Sequence, residues 1–270
     1  MTYTLLDSGN FRKLEQVGPH IISRPCPQAV WEPRLKGDWN KAVDVYQRSS
    51  SGGGKWLKKT LPESWEINYG GFDLQIKPTN FGHLGVFAEQ IDNWNWLTDI
   101  CQEGMTTMNL FAYTGGSTLA MRRGKASPTH VDAAKGIVDW ARVNADWNKL
   151  DGIRWIVDDA GKFLEREIRR GKEYNGIVLD PPSFGRGARK EIWKIEEHLV
   201  PLLKQCHQLM KDPQFLLLSC HSPHYTPKAL ENLVMSIWGR SVKMDSFEMS
   251  IPENNSARVI PSGSCVRVTF

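Results

Sequence analysis

Long apolar runs are missing from this sequence of 270 residues, and no window approaches the roughly 20 apolar residues that a membrane-spanning helix needs. The first residues, MTYTLLDSGNFRKLE, lack the apolar core that a signal peptide carries behind a basic start. A large excess of charge of one sign is also missing, because 34 Lys and Arg against 30 Asp and Glu give a formal net charge of only +4. This balance permits a nucleic-acid partner without requiring one. We therefore expect a cytoplasmic protein with no membrane segment.

Cysteine is sparse, with five residues that stand far apart and form no CxxC pair. An odd, scattered set argues against a disulfide framework and against a zinc site, so we predict reduced thiols and no metal. The remaining composition, 40% apolar and 24% charged, is typical of a globular protein. The length favours one large domain with a small appendage.

The pattern before about residue 80 is that of short antiparallel strands separated by Gly, Pro and Asn. Gly70 and Gly71 predict a tight hairpin between SWEINY (64–69) and FDLQIK (72–77). We expect a small N-terminal antiparallel β subdomain over residues 1–80, followed by a second domain over residues 81–270.

Beyond about residue 88, strands and amphipathic helices alternate along the chain. This order predicts a doubly wound α/β sheet, in which ligands bind beyond the carboxyl ends of the strands. The predicted strands are 106–111, 128–132, 153–159, 175–180 and 215–220, and the predicted helices are 90–102, 117–124, 133–149, 160–171 and a stretch within 191–210. The residues that follow these strands are the candidates for a functional site.

A glycine-rich segment, NLFAYTGGS (109–117), includes the end of the first of these strands. Gly115 and Gly116 let the chain turn tightly and bring bare backbone close to a ligand. The segment is neither a GxGxxG loop nor a P-loop, so a cofactor loop and a plain strand-to-helix turn are equally consistent with it.

Carboxylates end the next two strands. Asp132 is placed to accept hydrogen bonds from both ribose hydroxyls of an adenosine, or to cap the helix that follows. In Asp158-Asp159-Ala160, a carboxylate can receive an adenine amino group, or again cap a helix.

The string Asp180-Pro181-Pro182-Ser183-Phe184 is the most specific in the chain. Pro-Pro holds a rigid, extended segment at the ligand edge of the sheet. Asp180 then offers acceptors and Phe184 a ring face, which suits a planar ring that bears an amino group. The competing interpretation is a structural loop with a buried Phe.

Cys220 ends the last of these strands and precedes His221. A thiol at this position is a candidate nucleophile, activated by loss of its proton. Cys is also among the residues most often simply buried, and the sequence alone leaves both interpretations open.

A resemblance to class I S-adenosylmethionine-dependent methyltransferases, and more closely to the ribosomal RNA large-subunit methyltransferase I/K-like group, is carried by NLFAYTGGS, VDAAKGIVDWARVNADWNK, VDDAGKFL and LDPPSFGRG. The segment FGHLGVFAEQ (81–90) is similar to the one that precedes the methyltransferase core in that group. The segment LLDSGNFRKLEQVGPHIISRP (5–25) resembles a shorter subgroup, in which a small β region replaces an RNA-binding PUA domain.

The resemblance implies S-adenosylmethionine as cofactor, a Rossmann-like, mostly parallel sheet with an antiparallel last strand, and RNA of the 23S rRNA type as partner. The implied cofactor contacts are Phe87 and Gln90 over the methionine end, Asn109, Phe111, Tyr113, Thr114 and Gly115 as the floor, Asp132 at the ribose, Asp159 and Ala160 at the adenine, and Asp180 beside the transferable methyl group. The predicted substrate contacts are Pro181, Pro182 and Phe184.

Two chemistries are open within this group. In the cytosine-C5 branch a Cys adds to C6 of the ring, and this is the predicted function, with Cys220 and Asp180 as catalytic residues. The string here is Ser219-Cys220-His221, where that branch has Ser-Cys-Ser. In the amino-nitrogen branch no covalent step is needed, and positioning supplies most of the rate.

Outside these two chemistries, the sequence is also compatible with a methyltransferase that acts on a non-nucleic-acid acceptor and with an idle binding module. The full set of acidic strand ends disfavours the idle module, which needs no ribose ligand. A nicotinamide-dependent dehydrogenase is disfavoured by the missing GxGxxG loop.

Overall fold

A computed structural model describes residues 2–49, 53–186, 192–239 and 242–270. The chain divides into two compact units, Met1–Glu89 with Ser250–Pro261, and Gln90–Met249 with Ser262–Phe270. Every helix in the described part of the chain is too short or too polar to reach across a bilayer. All five cysteines are buried free thiols.

The first unit contains a five-stranded sheet and a separate hairpin. Strands β1 to β5 pair in chain order, antiparallel except for β3 with β4. The predicted Gly-Gly hairpin is confirmed, because Gly70 and Gly71 adopt φ of +62° and +72° between two paired strands. The strands are β1 (Tyr3–Gly9), β2 (Arg12–Val17), β3 (His20–Pro25), β4 (Asp44–Arg48), β5 (Gly54–Trp56), β6 (Trp65–Tyr69) and β7 (Phe72–Ile76).

The second unit is the doubly wound α/β part, and the predicted fold class is confirmed. Its seven-stranded sheet has the order β10-β9-β8-β11-β14-β16-β15, parallel from β10 to β14 and antiparallel at β16. The elements are α1 (Ile91–Ile100), β8 (Thr106–Leu110), α2 (Gly116–Arg123), β9 (Ser127–Asp132), α3 (Lys135–Trp147), β10 (Arg154–Val157), α4 (Ala160–Arg169), β11 (Gly176–Leu179), β12 (Phe184–Arg186), β13 (Ile192–Lys194), α5 (Ile195–Leu209), β14 (Phe215–Cys220), α6 (Pro227–Trp238), β15 (Lys243–Pro252) and β16 (Val259–Thr269).

The most apolar runs of the sequence form the two central strands. Every residue of β11 and of β14 is buried, as expected for parallel strands that are covered on both faces. Side chains alternate between the two faces of a strand. Leu216, Leu218 and Cys220 therefore share one face, and they belong to an apolar cluster with side chains of α4, α5 and α6. Ser219 lies on the opposite face.

One predicted helix begins later than its periodicity suggests. The apolar spacing extends back to Ile192, yet α5 begins only at Ile195. The reason is a short antiparallel pairing in which Phe184 lies opposite Lys194 and Gly185 opposite Trp193. These backbone hydrogen bonds hold residues 192–194 in an extended strand that local periodicity does not reveal.

The strand order places a switch point between β8 and β11. The chain winds outward from β8 through β9 to β10, and then returns to the other side of β8 with β11. Leu110 pairs with Val131 on one side and with Leu179 on the other, so the three strands end at the same level. The crevice above such a point is where open α/β sheets bind ligands.

Candidate active site

The loop after β8 has an unusual backbone. Phe111 and Tyr113 adopt left-handed φ of +56° and +49°, and Gly115 follows with φ of +93°. A non-glycine residue in this region costs about 1 to 2 kcal/mol, and such strain clusters where a ligand is bound. Glycine at 115 removes a Cβ that would come within 3.3 Å of the Ala141 side chain.

Asp132 holds this loop from the neighbouring strand. Its Oδ2 accepts a hydrogen bond from the backbone N–H of Tyr113 at 3.1 Å, and its Oδ1 accepts one from Ala134 at 3.0 Å. Burial raises the pKa of Asp132 in spite of these backbone donors. The structure does not show Asp132 as a helix cap, because Ala134 is the N-cap of α3 and no side chain caps that helix.

Asp159 does act as a helix cap. Its Oδ1 accepts a hydrogen bond from the backbone N–H of Lys162 at 3.0 Å, at the start of α4. Asp158 accepts the backbone N–H of Asp159 and pairs with Arg166. Ala160 is buried as the first residue of the helix. The adenine contact predicted for Asp159 and Ala160 stays a prediction.

A buried polar network supports the floor of the loop. The side chain of Asn109 donates to the Thr118 hydroxyl at 3.0 Å, and that hydroxyl lies 3.0 Å from Nδ1 of His130. Burial, together with the charge of Arg142, lowers the pKa of His130 to about 3, so the ring is neutral. Sequence reasoning found Asn109 and missed Thr118 and His130, because their polar partners lie on other elements.

The loop is also held from α3. The backbone carbonyl of Thr114, which is itself buried, accepts a hydrogen bond from the Asn144 side chain at 2.9 Å. Asn144 is fully buried on the face of α3 that packs inward. It is another residue that sequence reasoning missed, because a single Asn in an amphipathic helix has no pattern that distinguishes it.

Asp180 lies at the end of β11 in a cluster of polar side chains. Gln90 donates from Nε2 to Asp180 Oδ2 at 3.3 Å and to Ser219 Oγ at 3.1 Å. His221 Nδ1 lies 3.2 Å from Asp180 Oδ1. Burial raises the pKa of Asp180, but the charge of His221 and the hydrogen bonds from His221, Ser219 and Gln90 outweigh it and lower the pKa. The carboxylate is therefore ionised at neutral pH. Asn93 in turn donates to Gln90 Oε1 at 2.7 Å.

The Asp-Pro-Pro segment leads into the small β12–β13 sheet. Trp193 donates from Nε1 to the carbonyl of Pro182 at 2.6 Å, and its ring lies 4.8 Å from that of Phe111. Pro181 is buried, whereas Phe184 is 53% exposed, so its ring is not the buried structural Phe of the competing interpretation. Sequence reasoning missed Trp193, which joins the Asp-Pro-Pro segment to the loop after β8.

Cys220 lies at the same edge, but its side chain is only 1% exposed and belongs to the apolar cluster. Burial raises the pKa of the Cys220 thiol, and the Asp180 charge adds to this, while Ser222 and His221 oppose it. Both the burial and the raised pKa disfavour a reactive thiolate.

Phe87 belongs to the first unit, where its ring lies 5.6 Å from that of His83, and its predicted role stays a prediction.

Comparison with protein-family models supplies the identification. Residues 37–233 match the model described as S-adenosylmethionine-dependent methyltransferase. The chain belongs to this family. The enzyme depends on S-adenosylmethionine, as predicted. The backbone of the loop after β8, bare at Gly115, and the acceptor oxygens of Asp132 are chemically compatible with an adenosyl group, and the contacts predicted for these residues stay predictions.

The relatives of this methyltransferase include ribosomal RNA enzymes. Ribosomal RNA large subunit methyltransferase K/L of Pseudoalteromonas atlantica is 28% identical over 196 residues, which are 72% of this chain and 26% of the relative. Ribosomal RNA large subunit methyltransferase I of Aeromonas hydrophila is 32% identical over 118 residues, 43% of this chain and 30% of the relative. The chain spans about a quarter of the length of the K/L relatives that it matches.

Solved structures agree with the fold. The S-adenosylmethionine-dependent methyltransferase from Agrobacterium tumefaciens has a TM-score of 0.93 and 34% identity, covering 100% of this chain and 90% of that chain. The methyltransferase SMU.776, solved as a complex with S-adenosylhomocysteine, has a TM-score of 0.79 and 18% identity, covering 100% of this chain and 75% of that chain. At that identity the second similarity shows the fold alone.

Proposed function

We propose that this methyltransferase transfers its methyl group directly to a nitrogen of an RNA base that is held against the Asp180–Phe184 segment. The observation that carries the proposal is the ionised Asp180 carboxylate, which Gln90 and His221 hold, together with the exposed Phe184 ring four positions further along the same segment. A carboxylate at the edge of a base and an aromatic ring on its face are a common way to hold an unstacked base.

RNA as the substrate class is supported by the relatives, whose names describe them as ribosomal RNA large subunit methyltransferases. The small net positive charge of +4 is compatible with a polyanionic substrate. A cytoplasmic location would follow from such a substrate. The further proposal is that Asp132 holds the ribose of the cofactor and that Asn109, Phe111, Tyr113, Thr114 and Gly115 line its site.

Direct transfer is supported by the state of Cys220. When bound, S-adenosylmethionine supplies an electrophilic methyl group on a sulfonium. A base nitrogen has a lone pair that attacks such a carbon, so the protein has only to orient it in line. A cytosine C5 carbon needs prior attack by a thiolate at C6, and Cys220 has a raised pKa and an inaccessible side chain.

The covalent cytosine-C5 reaction is the second candidate. It is favoured by the position of Cys220 at the end of β14, directly before His221, whose charge acts to lower the pKa of the thiol. In that reaction Cys220 forms the adduct and Asp180 positions the base. A movement that exposes the thiol would be required before the attack.

The test measures methyl transfer from radiolabelled S-adenosylmethionine to RNA from a strain that lacks this gene. Digestion and mass spectrometry then locate the methyl group. We expect methylation at a nitrogen and, for Cys220→Ala, turnover within about threefold of the wild type. Cys206→Ala is the matched control, because Cys206 is a fully buried thiol of the same apolar cluster. Asp180→Asn should lose on the order of 100-fold or more in turnover.

Each contrary result contradicts a different part of the proposal. If Cys220→Ala abolishes turnover while it still binds S-adenosylmethionine, and Cys206→Ala remains active, the covalent reaction at C5 is the correct one. If no RNA from that strain accepts a methyl group, the substrate class is wrong.

A further inference from the structure

His221, which holds the Asp180 carboxylate in the proposed transfer, is itself a titratable residue. Its Nδ1 lies 3.2 Å from Asp180 Oδ1, while the other carboxylate oxygen accepts a hydrogen bond from Gln90. The side chains of His221 and Asp180 are 34% and 27% exposed, so both reach the surface of the crevice. An imidazole that donates from Nδ1 to a carboxylate carries its basic lone pair on Nε2.

The neighbouring strand leaves room for this ring. Cys220 pairs with Ser264 of β16, which places Gly263 beside His221. A Cβ at Gly263 would lie 3.0 Å from Cδ2 of His221 and 2.9 Å from the backbone carbonyl of Cys220. Gly263 also has a φ of +103°, which a residue with a side chain rarely adopts. The imidazole is therefore positioned from two sides, by Asp180 of one strand end and by the glycine of another strand.

We propose that His221 is the general base that takes the proton from the nitrogen as it is methylated, with Asp180 holding the imidazole. This inference rests on the proposed function. The nitrogen forms its new bond to the methyl carbon, and the bond from carbon to sulfur breaks with its electron pair on sulfur. The electrons of the N–H bond return to the nitrogen, and the proton moves to Nε2 of His221. The imidazolium that forms is stabilised by the carboxylate and releases the proton to solvent.

The charges around the ring fit this role. The Asp180 carboxylate at the end of β11 lies against the His221 ring, the Cys220 thiol interacts with it electrostatically from the preceding position, and β16 contributes the uncharged Gly263. The thiol is neutral at pH 7 because its pKa is raised, so the net local charge is negative. A negative neighbour stabilises the protonated ring and thus the product of the proton transfer.

The test compares wild type and His221→Asn in single-turnover methyl transfer, with saturating S-adenosylmethionine and RNA, between pH 5 and 9. The Asn side chain is able to donate to Asp180 as Nδ1 does, but it has no base. His207→Asn is the matched control. It changes an exposed His in the last turn of α5. Five residues lie between the end of α5 and the start of β14, so His207 lies near the edge of the sheet opposite to the one where His221 follows β14.

We expect His221→Asn to lose about 100-fold or more in rate at pH 7, a typical general-base contribution, and to lose the wild-type inflection in the pH profile. Its affinity for S-adenosylmethionine, measured by calorimetry, should stay within about twofold of the wild type, and added imidazole should restore part of the rate. A merely structural role would change cofactor affinity and leave the inflection in place.

Two results would overturn the inference in distinguishable ways. If the wild type methylates RNA and His221→Asn retains its rate and pH profile, His221 is not the base, although the proposed function stands. If the wild type transfers no methyl group to RNA, the proposed function fails and the role of His221 fails with it.

Discussion

The carboxylate of Asp132, at the end of β9, accepts the backbone N–H of Tyr113 at 3.1 Å. One side chain thereby holds a loop in which two non-glycine residues, Phe111 and Tyr113, have left-handed backbones. The residue proposed to hold the ribose is thus also a part of the scaffold that shapes the proposed cofactor site. Its removal should affect binding through both roles.

Asp132→Ala should lower the affinity for S-adenosylmethionine by about 10- to 100-fold, because hydrogen bonds to a charged group contribute about 1.5 to 3 kcal/mol. Calorimetric titration measures this change. Asp139→Ala is the control, since Asp139 is a partly exposed residue of the adjacent helix that pairs with Lys135. Equal affinities for the wild type and Asp132→Ala would show that Asp132 does not contact the cofactor.

Two glycines at the start of neighbouring helices should respond to alanine in opposite directions. A Cβ at Gly116, the first residue of α2, would overlap the buried ring of Trp94. Gly136, the second residue of α3, has nothing within 4 Å of the same position. Gly116→Ala should therefore lower the free energy of unfolding by about 1 to 3 kcal/mol, the usual cost of overpacking.

Gly136→Ala should raise the free energy of unfolding by about 0.5 to 1 kcal/mol, because alanine restricts the unfolded chain more than glycine does. Urea unfolding of both variants provides the comparison. A stabilising effect of Gly116→Ala would mean that the Trp94 ring moves aside without cost. The close packing of Trp94 of α1 against Gly116 of α2 would then be contradicted.

Stability in acid should depend on Glu167. This buried carboxylate accepts hydrogen bonds from Arg154, Arg170 and the Tyr174 hydroxyl. Burial raises its pKa, but these partners outweigh burial and lower the pKa to about 2. Because the pKa of Glu167 is lower in the folded state than its value of about 4.3 in the unfolded chain, this carboxylate stabilises the folded protein above pH 4.3. That stabilisation is lost as the pH falls toward 2.

Glu167→Gln should therefore cost about 1.5 to 3 kcal/mol of unfolding free energy at pH 7, because it removes the charge that accepts hydrogen bonds from Arg154 and Arg170, whose side chains are partly exposed to water. The difference from wild type should shrink as the pH falls from 5 to 3. Urea midpoints across this range measure it, with Glu165→Gln, an exposed neighbour on α4, as the control. A difference that is independent of pH would show that the ion pairs contribute nothing to the acid sensitivity.

Much of the fold could be predicted because its signals are local. The continuous apolar runs of β11 and β14 identify strands that are covered on both faces, and Gly70-Gly71 identifies a hairpin. The β12–β13 sheet could not be predicted in this way, since its pairing of Phe184 with Lys194 competes with a helical periodicity that continues through Ile192.

The residues of the candidate site also divide into those that the sequence could predict and those that it could not. Strand ends point to Asp132 and Asp180 because the carboxyl edge of a parallel sheet is the ligand edge. Gln90, Asp180 and His221 are separated by 90 and 41 positions, and only their hydrogen bonds show that they form one cluster. His130 and Asn144 escaped notice because the polar partner of each is supplied by another element of the chain.

The sequence by itself determined the alternation of strands and helices, the tight glycine turn after the first strand of the sheet and the acidic residues at the strand ends, because these depend on neighbours along the chain. The tertiary structure alone decided the strand register that sets Leu110 level with Val131 and Leu179. It also decided that Cys220 faces the apolar cluster while Ser219 faces Gln90. Alternation places the two side chains on opposite faces, but only the packing of distant helices determines which face is which.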